Sequence, residues 1–375
     1  MSTAAPTPAL LLGCNLAGLA VARSLAERGV PVVGVDRDPR GAAFASRHLI
    51  RRAVSPSPRR PQRLMAFLAK LAEELGGAVV IPTQDAWLEA LAAGPLPPSL
   101  RLVPPGVRAA DLLDKVGLYR AARAAGLPLP ASWEDPSQAA LPCLLKARRA
   151  GAPRVRLVRT AAQLARLADP PGAFLAQELV PHDGGGLVSA CVFRSPQGTW
   201  TFTARKLRQR PPRYGTAAMV ASEPWPEPEG LARRLLEALD YQGLAQVEFV
   251  RDQRDGQWRL LDLNPRPWKW LELTRHAGVD FAYLAYAATL GLPLPPARQT
   301  YGSRWLHLGE YLGLAPGRGP WPEGSRLTTQ DWGRLLAGLR PPADCHLALW
   351  DPADPEPALA YLTGLTQGSG YSGAC

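Results

Sequence analysis

Alternating apolar and polar positions predict two β-strands in the middle of the chain, residues 246–250 and 260–264. Side chains along a strand point to opposite faces with period 2, so each strand has one apolar face and one polar face. The polar side chains of the two strands are Gln246, Glu248, Asp262 and Asn264. We expect the strands to pair as an antiparallel hairpin with these side chains on one face.

The segment between the strands sets their register. Residues 254–256 read Arg-Asp-Gly, which predicts a three-residue hairpin loop with Gly256 in the left-handed conformation. This odd-length loop places Glu248 opposite Asp262. A two-residue Asp-Gly turn would instead place Glu248 opposite Leu263, on the apolar face.

Two carboxylates and an amide oxygen would then converge on one face of the sheet. Hard oxygen ligands of this kind suit Mg²⁺, with Mn²⁺ as an alternative, and phosphates and water complete the octahedron. Arg266 follows Asn264 by two residues, and Pro265 and Pro267 stiffen its segment. A fixed guanidinium beside a phosphate can stabilise developing negative charge. The alternative is that this face is merely the solvated side of a hairpin.

The N-terminal pattern predicts a Rossmann-like βαβ unit. An apolar strand leads into a glycine turn and a helix, and a second strand ends at Asp36. Asn15 stands between Gly13 and Gly18, where the dinucleotide fingerprint has its second glycine. This departure disfavours a nicotinamide cofactor. Asp36 either holds a ribose or merely ends its strand.

The next elements continue the alternation of strands and helices. Residues 40–63 are basic and Pro-rich and suggest a loop across the carboxyl edge of the sheet. An amphipathic helix over 64–76 and a buried parallel strand over 79–81 follow. A helix over 111–126 carries Asp114 and Lys115 near its start, and Gly126 and the following prolines end it.

Further strands place polar side chains where a nucleotide could bind. A strand ending at Lys146 precedes the segment 148–154, which is a candidate lid over phosphates. The strand over 174–181 could offer its backbone to an adenine ring, with Glu178 accepting from the exocyclic amine and Asp183 holding ribose hydroxyls. Ordinary surface roles are the alternatives for these carboxylates.

A hairpin over 187–204 runs into a cationic segment, residues 205–213, which we expect to be a loop that recognises phosphate or carboxylate. The alternative is a solvated basic surface. The remainder predicts a helix over 271–290, a Pro-rich linker over 291–300, a helix over 327–339 and a frayed tail over 367–375.

The amino-acid composition narrows the classes of ligand and function that the chain is expected to have. The 375 residues carry a formal net charge of +11, which favours anionic ligands. Dispersed basic residues without a recognisable module favour small anions over nucleic acid. Five cysteines without a C-x-x-C pair indicate neither a zinc knuckle nor a disulfide framework, and the cytoplasm is the expected location. Neither a leader nor a membrane span is predicted.

Lysine is scarce in a chain that otherwise uses arginine for positive charge. The lysines are Lys70, Lys115, Lys146, Lys206 and Lys269. A lysine is a compact point charge that contacts phosphate without the width of a guanidinium. These positions are therefore candidates for a specific role.

Together these stretches resemble the ATP-grasp superfamily. The resemblance spans residues 9 to about 290, and its strongest elements are Gln246-x-Glu248 and the run from Asp262 to Arg266. The runs 205–215 and 264–268 look closest to predicted carboxylate–amine ligases, a branch that includes D-aspartate ligases. Biotin carboxylase and D-alanine–D-alanine ligase are more distant relatives.

The resemblance implies an α/β and α+β architecture: a Rossmann-like domain over 1–110 that binds no NAD, a two-lobed ATP-grasp domain over 111–295 with lobes of about 111–185 and 186–295, and a small C-terminal extension over 296–375. It implies roles for particular residues. The set comprises Lys115 and Lys146 on phosphates, Glu178, Leu179, Val180 and Asp183 around the nucleoside, Glu248, Asp262 and Asn264 on Mg²⁺, and Arg266, Lys206 and Arg205 as catalytic groups. The segment 147–155 is poorer in glycine than the phosphate loop of many relatives, and a homodimer is left open.

The implied reaction uses ATP to turn a small carboxylate, an amino acid in particular, into an acyl phosphate that an amine attacks, releasing ADP and phosphate. Positioning and charge neutralisation would supply most of the catalysis. The alternatives are an NAD-dependent reductase using the N-terminal domain and a non-catalytic nucleotide-binding protein. The carboxylate and the amine are not determined by the sequence.

Overall fold

A computed structural model describes residues 6–104, 106–149, 155–166, 172–212, 214–312 and 343–366. Its strands form three sheets. The strands are β1 (Ala9–Leu12), β2 (Val32–Asp36), β3 (Leu49–Val54), β4 (Ala78–Pro82), β5 (Leu100–Leu102), β6 (Ser132–Trp133), β7 (Cys143–Ala147), β8 (Arg156–Val158), β9 (Phe174–Glu178), β10 (Leu187–Ser195), β11 (Gly198–Arg210), β12 (Thr216–Ser222), β13 (Gly243–Arg251), β14 (Trp258–Asn264), β15 (Arg304–Leu306) and β16 (Cys345–Leu347).

Helices connect and cover these sheets. They are α1 (Leu16–Ala26), α2 (Ala42–Ala45), α3 (Pro61–Leu75), α4 (Asp85–Ala92), α5 (Lys115–Ala124), α6 (Ala161–Ala165), α7 (Pro226–Ala238), α8 (Leu271–His276), α9 (Phe281–Thr289), α10 (Leu308–Leu312) and α11 (Glu356–Thr366). No described helix is long and apolar enough to cross a bilayer.

The first sheet is parallel, with the strand order β3-β2-β1-β4-β5. Its central strands are buried on both faces because helices cover both sides, and they therefore read as continuous apolar runs. The chain turns from β1 into α1 at Gly13, where φ is +98° and a Cβ would meet the Thr83 hydroxyl at 2.5 Å. Asn15 then caps α1 by accepting a hydrogen bond from the Gly18 amide at 2.9 Å.

The second sheet is antiparallel, with the order β6-β9-β7-β8. Helix α5 begins beside it because Asp114 caps the helix, accepting from the Val116 amide at 3.1 Å. Both oxygens of the same carboxylate bind the Arg148 guanidinium at 2.7 Å. This clamp joins the start of α5 to the end of β7, and it therefore brings Lys115 and Lys146 to one place.

The third sheet has the order β14-β13-β10-β11-β12-β15-β16 and is antiparallel apart from its last pair. Helix α7 covers one face over an apolar cluster that includes Val247 and Phe249. The opposite face shares a core with α1, α8 and α9, so the N-terminal sheet and the large sheet are packed together. The strands β15 and β16, after residue 295, belong to this same sheet.

A buried ion-pair network fastens the C-terminal segment to this shared core. Arg23 on α1 is 1% exposed and binds Glu272 and Asp354 at 3.0 Å each. Asp354 also accepts from the Ser46 hydroxyl at 2.9 Å and the Arg47 amide at 3.0 Å. Three distant parts of the chain therefore converge on one guanidinium and one carboxylate.

Strands β13 and β14 form the predicted hairpin, and the structure confirms that Glu248 lies opposite Asp262. The predicted three-residue loop is wrong. Arg251 pairs with Trp258, so residues 252–257 connect the strands, although Gly256 does have a positive φ of +74°. This even-length connection alone would place Glu248 opposite Leu261. A β-bulge at Leu261 shifts the register by one residue and restores the pairing with Asp262.

Several other predictions differ from the structure. Residues 40–63 are not a loop, because they contain α2 and the edge strand β3, whose outer face is basic and exposed. The helix predicted from residue 111 begins at Lys115, after a 3₁₀ turn over Gly106–Leu113. The helix predicted over 271–290 is two helices, interrupted at Gly278, where φ is +95°. Residues 205–210 belong to strand β11 rather than to a loop.

Some predictions fall outside the described residues. These are the lid at its residues 150–154, Arg213 of the cationic segment, the helix over 327–339 and the tail over 367–375. The four cysteines within the described part of the chain are buried and free.

Candidate active site

A cavity of about 700 Å³ lies between the three sheets. One half is lined by the polar face of the β13–β14 hairpin and by residues of the second sheet. The other half is lined by the loops after the carboxyl ends of β1, β2, β3 and β4. Predicted site residues on the cavity wall are Lys115, Lys146, Glu178, Val180, Lys206, Glu248, Asp262, Asn264 and Arg266.

Lysines contact the two carboxylates of the hairpin. The Lys115 ammonium lies 2.6 Å from Asp262 Oδ1, and the Lys206 ammonium lies 3.1 Å from Glu248 Oε1. Burial alone would raise the pKa of Asp262, but the ammonium groups of Lys115 and Lys146 outweigh it and hold that pKa below its usual range. Asp262 is therefore ionised at neutral pH and able to face a cation.

The bulge at Leu261 has a chemical consequence. Its carbonyl oxygen accepts hydrogen bonds from the Lys146 ammonium at 3.0 Å and from the Tyr119 hydroxyl at 2.8 Å. Burial, partly offset by Asp262, lowers the pKa of Lys146 to about 8. Burial also raises the pKa of Tyr119, and the negative charge of Asp262 adds to this effect. The bulge thus turns a backbone acceptor toward the lysine that was predicted to contact phosphate.

Arg266 bridges the two halves of the cavity. Its Nε donates to the carboxylate of Asp85, the first residue of α4, and its Nη2 donates to Asn264 Oδ1 at 3.2 Å. Asn264 in turn donates to Gln246 Oε1 at 3.2 Å, and Gln246 donates to the Ser189 hydroxyl at 3.1 Å. This chain of hydrogen bonds fixes the orientation of the Asn264 amide, with its oxygen toward Arg266.

The donor set fits a hard divalent cation held jointly with phosphate. No group of three or more His, Cys, Asp and Glu side chains suited to a metal occurs in the described ranges. Glu248 and Asp262 nevertheless supply two carboxylates from directly opposite strand positions, and Asn264 adds an amide oxygen on the same face. Few protein ligands are needed by Mg²⁺, which commonly shares its coordination sphere with substrate phosphates. The lysine ammonium groups on both carboxylates show that these oxygens accept positive charge.

The candidate adenine segment is arranged differently from the prediction. Glu178 accepts from the Ala131 amide at 2.9 Å and pairs with Arg254 at 2.9 Å. Burial would raise the pKa of Glu178, but these contacts outweigh it and the pKa is lowered. Leu179 and Val180 follow the end of β9, so their backbone groups take no part in the sheet.

Gln177 is a site residue that the sequence did not single out. It lines the cavity, is 1% exposed, and donates to the Tyr119 hydroxyl at 2.5 Å. Its Oε1 is buried without a hydrogen-bond partner in the part of the chain that the structure describes. An orphaned buried acceptor is costly unless a ligand supplies the donor. Gln177 is therefore a further candidate for the acceptor role predicted for the Glu178 side chain.

Three predicted site residues, Leu179, Asp183 and Arg205, do not reach the cavity wall. Arg205 lies on the opposite face of β11 from Lys206 and makes two hydrogen bonds of 2.8 Å to Glu223. The catalytic role predicted for Arg205 is therefore not supported, because strand alternation turns its side chain away. Asp183 accepts from the amides of Gly185 and Gly186 at 2.9 and 3.1 Å, so its carboxylate stabilises a turn rather than facing the cavity.

Most of the cationic segment is engaged elsewhere as well. Arg208 is 8% exposed and stacks over the Tyr311 ring at 4.5 Å. Besides Lys206, the segment contributes Gln209 to the cavity, followed by Tyr214 and Gly215. The expected cluster of phosphate-binding arginines is thus not formed here by the described residues.

Asp85 and Tyr119 were also missed. Asp85 follows a central strand at the point where the sheet order reverses, because β1 has β2 on one side and β4 on the other. Ligands commonly bind at such a switch point, so strand order was the signal that could have identified it. For Tyr119 the sequence holds no such signal, because its hydroxyl acts only through partners on β9 and β14.

Comparison with known proteins supports the fold. No family model and no curated protein sequence matches the chain. An N5-carboxyaminoimidazole ribonucleotide synthetase solved with ADP is 19% identical, with a TM-score of 0.62 over 81% of this chain and 82% of that chain. The Thermus thermophilus synthetase of that name is 22% identical, with a TM-score of 0.60 over 79% and 81%.

A third solved structure belongs to a different enzyme. The biotin carboxylase domain of Hydrogenobacter thermophilus 2-oxoglutarate carboxylase, a dimer solved with MgADP, ADP and bicarbonate, is 15% identical, with a TM-score of 0.61 over 79% of this chain and 73% of that chain. At these identities the comparisons show the fold alone. The chain shares the mixed α/β fold of these three solved structures.

Proposed function

We propose that the chain is an ATP-dependent carboxylate–amine ligase that activates a small carboxylate, such as an amino acid, as an acyl phosphate and joins it to an amine. The observation that carries the proposal is the opposed pair Glu248 and Asp262, each contacted by a lysine, with Arg266 beside them. The solved structures with the same fold include proteins named as a synthetase and as a carboxylase.

The nucleotide would lie in the half of the cavity formed by the second sheet and the hairpin. The backbone after Glu178 and the orphaned Oε1 of Gln177 offer acceptors and donors that match the edge of an adenine ring. Lys115 and Lys146 would contact phosphate oxygens as compact charges. Glu248, Asp262 and Asn264 would hold Mg²⁺, which supplies neutralisation of phosphate charge when bound.

The reaction then follows from the charges on this face. A carboxylate oxygen of the first substrate attacks the γ-phosphorus, ADP departs, and an acyl phosphate results. The amine attacks the acyl carbon, loses a proton, and phosphate leaves with the oxygen that the carboxylate supplied. Arg266 would stabilise the negative charge on the carboxylate and then on the acyl phosphate, and Lys206 would do so from strand β11.

Finer features of the resemblance remain part of the proposal. We interpret the parallel sheet as the Rossmann-like unit over 1–110 and retain the ATP-grasp unit over 111–295 and the extension over 296–375. The branch of D-aspartate ligase-like enzymes is proposed on the segment 264–268. One solved protein of this fold is named as a dimer, which supports a homodimer here.

An oxygen-transfer experiment tests the proposal. ADP release is first screened over a panel of amino acids and amines with ATP and Mg²⁺, and the active carboxylate is then supplied labelled with ¹⁸O. One labelled oxygen should appear in phosphate for each amide formed. Label in AMP would indicate adenylation, and unlabelled phosphate released at the same rate without any carboxylate would indicate a plain ATPase.

The Arg266→Lys variant tests the same step from the protein side. It keeps the charge but loses the planar fork that contacts both Asp85 and Asn264. Turnover should fall sharply while ATP binding changes little. Unchanged turnover would remove Arg266 from the mechanism.

A further inference from the structure

The half of the cavity formed by the first sheet is not used by the nucleotide in the proposed function. Loops after four neighbouring parallel strands line it: Asn15 follows β1, Arg37 follows β2, Arg59 follows β3, and Asp85 follows β4. The carboxyl edge of a parallel sheet at a reversal of strand order is a common binding position for small ligands.

Two arginine side chains at this edge have no partner among the described residues. Neither the Arg37 nor the Arg59 guanidinium has a hydrogen-bond or ion-pair partner in the described ranges, and both side chains are exposed at the cavity. The neighbouring Arg40, by contrast, is paired with Asp38 at 2.9 Å. Two free guanidinium groups in the loops after the adjacent strands β2 and β3 suit a carboxylate, phosphate or phosphonate group.

Most carboxylates at the same edge already have hydrogen-bond or ion-pair partners within the protein. Asp36 accepts from the Cys14 amide at 2.6 Å and from the Asp38 amide at 3.2 Å, which makes it a support for the β1–α1 turn. Asp38 is held by Arg40. Asp85 differs because its partner is Arg266, the residue assigned to the reacting carboxylate. When Arg266 turns to an anionic substrate, the Asp85 carboxylate becomes available to a cation.

We propose that this half of the cavity binds the acceptor, and that the acceptor is a small amine that also carries an anionic group. Asp85 receives its ammonium next to the reacting centre, while Arg37 and Arg59 receive its anionic group. This inference rests on the proposed ligase function, because the bound amine is an acceptor only in a ligase reaction. The binding of an anionic amine to this site does not itself depend on turnover. It places anion recognition on the first sheet, rather than on the segment 205–213.

Titration calorimetry on the protein with ADP and Mg²⁺ tests the charge assignment. The probes are 3-aminopropylphosphonate and 4-aminobutyrate as anionic amines, butylamine as an amine without an anion, and glutarate as an anion without an amine. The double variant Arg37→Gln/Arg59→Gln should weaken binding of both anionic amines at least tenfold and leave butylamine unaffected. Arg101→Gln is the matched control, because Arg101 is also exposed in the first sheet but does not line the cavity.

The Asp85→Asn variant provides the second arm. It should weaken binding of 4-aminobutyrate and butylamine but not of glutarate, because only the ammonium site is changed. Failure of both anionic amines to bind the wild-type protein would overturn the inference, as would equal affinities in the double variant. Weaker ADP binding in the double variant would assign the arginines to the nucleotide and overturn it as well. Binding as expected, without ADP release for any carboxylate, would instead refute the ligase function and leave the binding site standing.

Discussion

Replacing Tyr119 with Phe removes one hydroxyl that serves two parts of the site. This hydroxyl donates to Leu261 O at 2.8 Å and accepts from Gln177 Nε2 at 2.5 Å. Tyr119 is 4% exposed and Gln177 is 1% exposed, so water does not replace the lost partner easily. Lys146 still satisfies the Leu261 carbonyl, but the Gln177 amide is left with neither of its polar ends paired.

The expected cost follows from that unpaired amide. A buried donor without a partner costs about 1–3 kcal/mol, so the free energy of unfolding should fall by that amount. Gln177 also loses the contact that fixes its orientation. If its Oε1 contributes about 1 kcal/mol to nucleotide binding, loss of that orientation weakens ATP binding by roughly fivefold.

Tyr241→Phe is the matched control. Tyr241 is also 4% exposed, and its hydroxyl donates to Leu244 O at 2.6 Å, but it does not line the cavity. Urea unfolding should show a loss of stability in both variants, whereas calorimetry should show weaker ATP binding in Tyr119→Phe alone. Wild-type ATP affinity in Tyr119→Phe would refute the role given to Gln177, and equal weakening in both variants would mean that the effect is a general loss of stability.

Three further predictions concern charge. Glu248→Gln and Asp262→Asn should each abolish Mg²⁺-dependent turnover and keep the far-ultraviolet circular dichroism of the native fold; near wild-type turnover at ordinary Mg²⁺ would refute the assignment. Lys206→Gln should lower turnover at least tenfold whereas Arg205→Gln should not, and the reverse ranking in steady-state assays would restore the original prediction. Burial alone would raise the pKa of Glu272, but His276 and the neighbouring guanidinium groups lower it from 4.5 to about 2. The ionised Glu272 carboxylate therefore contributes roughly 3 kcal/mol to the free energy of unfolding above pH 4.5, and this contribution is lost as the pH falls toward 2. Glu272→Gln should flatten this part of an acid-unfolding curve.

The sequence was sufficient where function depends on neighbours along the chain. Strand alternation with an odd-length loop placed Glu248 opposite Asp262, and although the loop length is wrong, the bulge at Leu261 gives the same pairing in the structure. The cap at Asp114 and the strand end at Lys146 are likewise local features. Alternation should also have excluded Arg205, because Lys206 follows it directly and the two side chains must point to opposite faces.

The sequence was insufficient where a side chain acts through a distant partner. Arg266 is held by Asp85, which lies 181 residues earlier in the chain. Gln177 sits in an apolar run, and only the Tyr119 hydroxyl and the position of β9 at the cavity reveal its orphaned oxygen. The bulge at Leu261 shows in the sequence only as the adjacent Leu260 and Leu261, which interrupt the alternation of residues 260–264, and two neighbouring leucines do not by themselves indicate a bulge.

The contacts of the lysine side chains in the cavity give a physical reason for the scarcity of lysine in this chain. Three of the lysines line the cavity, and each ammonium already contacts an oxygen of the hairpin, on Glu248, Leu261 or Asp262. A buried charge without a partner is strongly unfavourable, so phosphate binding at this face requires an exchange of partners rather than the creation of new charges. A single flexible ammonium can move from carboxylate to phosphate oxygens, whereas a guanidinium held by two hydrogen bonds, like that of Arg205 on Glu223, resists such an exchange. On the cavity wall, lysine therefore stands where a charge must change partners, whereas Lys269 outside the cavity forms an ion pair with Glu310 at 2.6 Å.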